Sequence, residues 1–338
     1  MTAAGVEAHS IGSISHEPTV EDVDRLVGRL QELRAGHGDL LVAIGGGSAI
    51  DLAKAAAALV TNRKGPTVLD YLEGVGKGLT IDEPPIPMIA VPTTAGTGSE
   101  ATKNAVISSY APPFKKSLRS DQMVPRIVLV DPELTVSVPP AVTAATGMDA
   151  ITQLIESYVS RRATPATRAI ALTGLEGAVP ALREAVLDGS SRPARETMSR
   201  AAFLSGMALA NSGLGLAHGV AAALGIHCRV AHGLACAVML PAAIRFNLGD
   251  ANVSREFARL VPLVFGEPAT SPIGAPELVL MQIEQLLQEM NLPRRLSELG
   301  VQREQLPAIV RDSAGNSMRG NPRLVSEDDL TRILEEML

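Results

Sequence analysis

Four residues in the second half of the chain have side chains that could share one metal ion. Asp149 and Gln153 are four residues apart, so in a helix they would lie on one face. His218 and His232 each precede a glycine in apolar surroundings. A carboxylate, an amide oxygen and two imidazoles form a mixed oxygen and nitrogen ligand set that suits Fe²⁺ or Zn²⁺. Spacing alone leaves the alternative open, in which Asp149 caps a helix, Gln153 is a surface residue and the histidines are structural.

Two glycine-rich turns in the first half each follow an apolar run of the buried parallel-strand kind. The run 40–44 leads into three glycines and a serine at 45–48, and the run 86–91 leads into a hydroxyl-rich turn at 92–99. Backbone N–H groups in such a turn, together with a helix N-terminus, can bind phosphate. Because ligands bind at the carboxyl ends of parallel strands, the pair favours a dinucleotide pocket over two ordinary polar loops. Neither a GxGxxG nor a Walker pattern is present.

The predicted secondary structure that positions these residues changes near Pro139, from alternating strands and helices to helices alone. Before Pro139, strands are predicted at 6–11, 40–44, 86–91, 105–108 and 126–130, and helices are predicted from Val20 and over 49–60. After Pro139 the predicted elements are all helices, at 141–160, 165–187, 194–211, 214–225, 233–248, 276–291 and 327–337. Thr19 with Asp22, and Ser48 with Asp51, have the spacing of an N-cap and the third helical residue. The pattern predicts an α/β dinucleotide-binding domain with a parallel, Rossmann-like sheet over 1–139 and an all-α domain over 140–338.

Composition excludes several classes of protein. Hydrophobic residues make up 46% and charged residues 20% of the 338 residues, as in a soluble globular protein. With 3 Tyr, 5 Phe, no Trp and a net charge of −6, the chain offers neither base-stacking platforms nor attraction to nucleic acid. Two cysteines cannot make a disulfide framework, which favours a reduced, cytoplasmic setting. Neither a signal sequence nor an 18-residue apolar run is seen, so we expect no membrane association.

Several blocks of the sequence occur together, in order, in one known family. They are IGGGSAIDLAKA, VPTTAGTGSE, PRIVLVDPELT, TGMDAITQLIESYVS and GLAHGVAAALG. With them the chain resembles the iron-containing (group III) alcohol dehydrogenases, relatives of glycerol dehydrogenase and 3-dehydroquinate synthase. The resemblance implies a homo-oligomeric oxidoreductase that interconverts a small alcohol and its aldehyde or ketone. The implied cofactors are NAD or NADP and a divalent metal, Fe²⁺ or Zn²⁺.

The resemblance also implies roles for individual residues. Asp149, Gln153, His218 and His232 fall on the four metal positions of the family, and Asp149, His218 and His232 are catalytic through the metal, which lowers the pKa of the alcohol before hydride transfer. The implied cofactor-binding residues are Gly46, Gly47 and Ser48 at the pyrophosphate, Thr93, Thr94 and Thr97 along the cofactor, and Asn104 and Lys115 further along the same wall.

Three departures from the family pattern qualify these expectations. Gln153 stands where the family commonly has His, and its amide oxygen is a weaker ligand, so we expect looser metal binding. Ala222 replaces a histidine that some members carry near the nicotinamide. The chain is also N-terminally short, lacking the first strand-helix unit of the dinucleotide fold and with it the contacts that distinguish NAD from NADP. Because a missing strand leaves its neighbour's backbone groups unpaired, we expect the true start to lie upstream.

Two other functions remain open from the sequence. A metal-independent reductase of the maleylacetate reductase kind would keep its activity after chelation. A non-catalytic, truncated remnant acting only as a binding subunit is the other, although ligand-capable residues at all four metal positions argue against it. A lyase of the dehydroquinate synthase kind is disfavoured, because the helical half lacks a cluster of basic residues for its substrate.

Overall fold

The computed structural model describes residues 5, 7–265 and 276–338, which form two compact units. The α/β unit comprises Met1–Val91 and Lys103–Leu129, and the helical unit comprises Pro92–Thr102 and Val130–Leu338. The sequence-based division between residues 139 and 140 differs from these units, since 92–102 and 130–139 group with the helical part. We describe each unit by itself.

A three-stranded sheet and a separate hairpin make up the strands of the α/β unit. The elements are α1 (Val20–Glu32), β1 (Leu41–Gly45), α2 (Gly47–Leu59), β2 (Met88–Pro92), β3 (Asn104–Tyr110), β4 (Pro113–Arg119) and β5 (Ile127–Val128). The sheet has the order β1-β2-β5, and β2 pairs with β5 in parallel, with Ile89 opposite Ile127. β3 and β4 pair antiparallel from Asn104 opposite Arg119 to Tyr110 opposite Pro113. Strand β4 was not predicted, because its charged sequence lacks an apolar alternation.

One of the two predicted helix caps is confirmed and the other is wrong. Thr19 and Asp22 form a reciprocal capping box at the start of α1. The N-cap of α2 is Gly46, not Ser48, because Gly45 (φ +156°) turns the chain from strand to helix at once. A Cβ on Gly45 would lie 2.7 Å from the Cβ of Ala49. Asp51 therefore does not pair with a capping serine, and its carboxylate accepts a hydrogen bond from the backbone N–H of Val106 at 2.9 Å.

Strand β1 is buried on one face only. Leu41 and Ala43 lie in the core of the α/β unit with the alanine-rich helix α2, whose small side chains permit close packing. Their neighbours Leu40, Val42 and Ile44 are 53%, 40% and 63% exposed. The predicted strand 6–11 is not formed over residues 7–11, and Val6 lies outside the described residues.

The helical unit is built around one buried helix, α3. Its helices are α3 (Pro140–Val159), α4 (Pro165–Leu175), α5 (Ala178–Leu187), α6 (Arg192–Ser212), α7 (Leu216–Cys228), α8 (His232–Asn247), α9 (Ala251–Phe265), α10 (Glu277–Glu289), α11 (Leu306–Asp312) and α12 (Glu327–Glu336). Helix α3 contacts α4, α5, α6 and α8, and every residue from Gly147 to Val159 is buried. The predicted helix 165–187 is interrupted at Gly177 (φ +71°), while α9 and α11 were not predicted.

Within the described residues, no single helix is long and apolar enough to cross a membrane. The consecutive helices α6 and α7 meet that test together by length and composition, but they are bent by 102° at the break between them.

Candidate active site

Three polar residues lie along one face of the buried helix α3. Asp149, Gln153 and Glu156 follow a spacing of four and then three residues, which places them in one stripe. Their exposed fractions are 1%, 3% and 4%. Because buried polar groups are costly unless they are hydrogen-bonded or bind a ligand, the partners of this stripe indicate its purpose.

Glu156 connects α3 to the start of α7. Its carboxylate accepts the backbone N–H groups of Gly215 at 3.0 Å and Ala217 at 2.7 Å, and it lies 2.7 Å from Nδ1 of His218. The N-terminus of a helix has N–H groups without intrahelical acceptors, so a carboxylate there is favourable. The same carboxylate makes Nδ1 of His218 the donor. Nε2 of His218 is thereby directed at Asp149, 3.1 Å from its Oδ1.

Helix α8 adds His232 and Cys236, which are four residues apart and lie on one face. Nε2 of His232 is 4.0 Å from Oδ1 of Asp149 and 3.7 Å from Sγ of Cys236. The potential ligand atoms of Asp149, His218, His232 and Cys236 all lie within 4.8 Å of one another. A carboxylate, two imidazoles and a thiol at this spacing match the donor set and size of a first-row divalent metal site.

The glycine after each histidine permits close packing. A Cβ on Gly233 would lie 2.5 Å from the carbonyl oxygen of Ala145, on α3. A Cβ on Gly219 would lie 2.9 Å from the terminal methyl of Met318. The repeated His-Gly pair thus has a physical cause: the glycine brings the first turn of each helix close to its neighbour.

Opposing effects set the protonation of the cluster. Burial raises the pKa of Asp149, but the charge of His232 and the hydrogen bond from His218 outweigh it, so this pKa lies below its usual 3.8. Burial lowers the pKa of His218, yet Cys236 and hydrogen bonds to Asp149 and Glu156 raise it well above 6.5. Burial raises the pKa of Cys236 to about 12, with Asp149 adding and His218 opposing. The lowered pKa of Asp149 and the raised pKa of His218 are the shifts expected of a buried acid and base that are hydrogen-bonded to each other.

The structure brings the predicted ligands Asp149, His218 and His232 together, and it adds two residues that sequence reasoning missed. Gln153 lies on the same helix face, and its Oε1 accepts the hydroxyl of Ser205. Cys236 and Glu156 are the additions. Both had a signal in the sequence: Cys236 lies four residues after His232, and Glu156 lies seven residues after Asp149.

The predicted cofactor-binding residues of the α/β unit lie at a helix N-terminus and on the hairpin. Gly46, Gly47 and Ser48 form the start of α2, which no side chain caps, as suits an anion-binding helix end. Asn104 begins β3, and its carbonyl oxygen accepts Nζ of Lys54. Lys115, on β4, forms an ion pair of 2.6 Å with Glu17.

The predicted cofactor-binding threonines belong to the helical unit, in the turn after β2. Thr93, Thr94 and Thr97 precede Gly98 (φ +60°), whose backbone touches that of Gly206 on α6. A Cβ on Gly98 would lie 2.5 Å from the Gly206 nitrogen, and one on Gly206 would lie 2.1 Å from the Gly98 oxygen. This backbone contact places the threonine-bearing turn against α6.

Comparison with known proteins decides the family. A family model described as "Iron-containing alcohol dehydrogenase" matches residues 1–132, and one described as "Fe-containing alcohol dehydrogenase family, C-terminal" matches residues 143–338. The chain belongs to the iron-containing alcohol dehydrogenase family. Membership confirms the predicted fold class and the predicted activity, NAD-dependent oxidoreduction between an alcohol and its carbonyl product. It also confirms the predicted cofactors at the level of NAD and a divalent metal.

Individual relatives support this assignment over most of the chain. The NAD-dependent methanol dehydrogenase of Bacillus methanolicus is 35% identical over 303 residues, which cover 89% of this chain and 77% of that protein. The structure of a 1,3-propanediol oxidoreductase has a TM-score of 0.87 at 33% identity and covers 96% of this chain and 83% of its own. The sulfoacetaldehyde reductase of Bifidobacterium kashiwanohense, solved with NAD⁺, has a TM-score of 0.85 at 29% identity, with coverages of 97% and 82%.

Proposed function

We propose that this family member oxidises a small alcohol, or reduces the corresponding aldehyde or ketone, at the cluster of α3, α7 and α8. The observation that carries the proposal is the meeting of Asp149, His218 and His232 with their ligand atoms within 4.8 Å of one another. These three residues would hold the divalent metal. Gln153, at the fourth metal position implied by the family, stays a predicted ligand.

The residues of the chain prepare the site for both cofactors. When bound, the metal lowers the pKa of the alcohol, and the nicotinamide accepts the hydride. Glu156 keeps the proton of His218 on Nδ1 and leaves Nε2 for the metal, as outer carboxylates do in other metal sites. His232 is the least buried member of the cluster, with 29% of its side chain accessible, so substrate would enter beside it.

The cofactor-binding roles remain part of this proposal. Gly46, Gly47 and Ser48 would bind the pyrophosphate through the N-terminus of α2. Thr93, Thr94, Thr97, Asn104 and Lys115 would contact the remainder of NAD(P). Support comes from the uncapped start of α2 and from the hydroxyl-rich turn fixed against α6.

Binding and turnover of the purified protein test the proposal. The protein is titrated with NADH and NADPH, and the nicotinamide fluorescence is followed with Zn²⁺ or Fe²⁺ present; the absence of Trp keeps the protein background low. We expect saturable binding, followed by activity with alcohols such as methanol or 1,3-propanediol or with sulfoacetaldehyde. A folded protein that binds neither nucleotide would contradict the proposal and favour the non-catalytic alternative.

Chelation separates the metal-dependent reaction from a metal-independent reductase. We expect activity to disappear after treatment with a chelator and to return when Zn²⁺ or Fe²⁺ is added. Asp149→Asn, which removes the charge of the central ligand, should show the same loss without rescue. Full activity in the chelated wild type would instead favour a reductase of the maleylacetate reductase kind.

Three further expectations rest on the family resemblance. We propose a homo-oligomer in the cytoplasm without nucleic-acid or membrane partners. We also propose that the cofactor-binding and metal-binding roles divide between residues 1–139 and 140–338, a division supported by family matches that end at 132 and resume at 143. Light scattering of the purified protein and fractionation of the source cells test assembly and location.

A further inference from the structure

Cys236 lies in the metal cluster but has no part in the ligand set implied by the family. It is fully buried in the first turns of α8, four residues after His232. Its Sγ is 3.7 Å from Nε2 of His232, and it belongs to the group of four whose ligand atoms are within 4.8 Å of one another. Cysteine binds metals as a thiolate, so this position adds a fourth donor.

Measured spacings suit coordination by all four residues. With metal–sulfur bonds of about 2.3 Å and metal–nitrogen bonds of about 2.0 Å, tetrahedral ligand atoms lie about 3.5 Å apart. The distances from Asp149 Oδ1 to His218 Nε2 and from His232 Nε2 to Cys236 Sγ are 3.1 and 3.7 Å. The distance from His232 Nε2 to Asp149 Oδ1 is 4.0 Å. Together with the limit of 4.8 Å that holds for every pair in the group, these spacings fit one metal ion placed among the four residues.

Gln153, the competing fourth ligand, has its amide oxygen directed to another partner. Oε1 of Gln153 accepts the hydroxyl hydrogen of Ser205, on α6. Ser205 is itself fully buried, and the carbonyl oxygen of Ala202 is a second acceptor that shares its single hydroxyl hydrogen. An amide oxygen is a weaker donor for a divalent ion than a thiolate, so the buried thiol is favoured on chemical grounds.

We propose that Cys236 is a direct metal ligand in this protein, so that Asp149, His218, His232 and Cys236 bind the ion while Gln153 remains bonded to Ser205. The inference rests on the proposed metal-dependent function. On binding, the S–H bond breaks, the proton leaves to solvent, and the sulfur lone pair forms the metal bond without any redox change. A thiolate shifts the preference of the site from Fe²⁺ towards Zn²⁺.

Cobalt substitution tests the sulfur–metal bond directly. Metal-free protein, kept reduced, is titrated with Co²⁺, and the near-ultraviolet charge-transfer absorption of a Co²⁺–thiolate bond is recorded. We expect this band in the wild type and in Gln153→Ala, and its loss in Cys236→Ser. The matched control is Cys228→Ser, because Cys228 and Cys236 are the two thiols of the chain. The band should persist in Cys228→Ser, where Cys236 is the remaining thiol, so the result does not depend on the folding of a Cys236 variant.

A competition titration supplies the affinity. We expect Cys236→Ser to weaken Zn²⁺ binding by more than the about 10- to 100-fold typical for loss of an outer hydrogen-bond partner. Gln153→Ala should change Zn²⁺ affinity by less than Cys236→Ser does. Saturable Co²⁺ binding without the band, or a band that survives in Cys236→Ser, overturns the inference while leaving a metal-dependent function intact. A wild type that binds neither metal overturns both.

Discussion

Glu156 holds His218 by Nδ1 at a distance of 2.7 Å, while Nε2 of the same ring lies 3.1 Å from Asp149. The imidazole of His218 thus lies between the buried carboxylates of Glu156 and Asp149, which have different roles. Glu156 also accepts two backbone N–H groups at the start of α7, which makes it part of the fold as well as of the site. Asp149 faces the potential metal position. The orientation of His218 therefore depends on a residue that would not touch the metal.

Glu156→Gln tests this dependence. A glutamine has nearly the same shape, but it has one acceptor oxygen where Glu156 has two. It therefore cannot accept from Gly215, Ala217 and His218 together, and the orientation of His218 should be less fixed. We expect Zn²⁺ affinity to fall by about 10- to 100-fold, the usual effect of losing an outer-shell partner. Competition titration with a chromophoric chelator measures it. The control is Glu196→Gln on the exposed side of α6, which makes the same charge change; an equal fall in both variants would contradict the role of Glu156.

Gly206→Ala should destabilise the helical unit. The added Cβ would lie 2.1 Å from the carbonyl oxygen of Gly98, so the turn or the helix must move. We expect the free energy of unfolding to fall by about 1–3 kcal/mol, as for other overpacked interiors. Gly28→Ala is the control: its Cβ meets no atom within 4 Å, and in the interior of α1 it should raise stability by about 1 kcal/mol. Urea unfolding of the two variants should therefore give shifts of opposite sign.

Removing the buried Lys54 should cost more than removing an exposed lysine. Nζ of Lys54 is 3.0 Å from Oδ1 of Asp51, and Asp51 also accepts the N–H of Val106, on the hairpin. Lys54→Met leaves that carboxylate without its cation, so we expect a loss of about 3–5 kcal/mol. Lys64→Met, which removes the exposed pair with Asp82, should cost less than about 1 kcal/mol. Equal losses in the two unfolding curves would show that the Lys54 pair is not the buried contact described above.

Asp22 should make stability depend on pH in the acidic range. Burial raises its pKa, but the hydrogen bonds from Thr19, His16 and Arg25 lower it more, to about 2 from 3.8. Because the folded pKa is depressed, the stabilisation is fully present above about pH 4 and disappears as the pH falls through 2. The shift corresponds to about 2 kcal/mol at neutral pH.

The free energy of unfolding is measured for the wild type and for Asp22→Asn from neutral pH down to about pH 2. The difference in the free energy of unfolding between the two proteins should be largest near neutral pH and should shrink towards zero on acidification. Asp328→Asn, an exposed substitution in the first turn of α12, is the control that makes the same change of charge. A difference for Asp22→Asn that stays constant with pH would mean that its capping box does not titrate as described.

Local patterns predicted the elements whose own sequence determines them. The Thr19–Asp22 capping box and the apolar run of β1 were sufficient for α1 and the first described strand. Helix limits were mostly placed within a few residues, but the break at Gly177 was missed, although glycine is the residue that adopts such a positive φ most readily. Ser48 failed as a cap because Gly45 lets the strand enter the helix two residues earlier.

The sequence did not reveal the site residues whose roles depend on contacts with residues far away in the chain. His218 and His232 were visible as His-Gly pairs, but their approach to Asp149 depends on contacts between helices far apart in sequence. Glu156 and Cys236 each had a helical spacing from a predicted ligand, and neither spacing has meaning until α3, α7 and α8 are packed together. Whether a buried polar residue is a ligand or a support is a tertiary property.

The contact between Gly98 and Gly206 also limits how this protein can evolve. Each glycine blocks a side chain at the other position, so neither site can gain even a methyl group by a single neutral substitution. New substrate specificities would therefore have to arise around this contact rather than through it. A library that randomises the turn at 92–99 should return glycine at position 98 among its folded members, whereas any requirement for the neighbouring threonines would come from cofactor binding and not from folding.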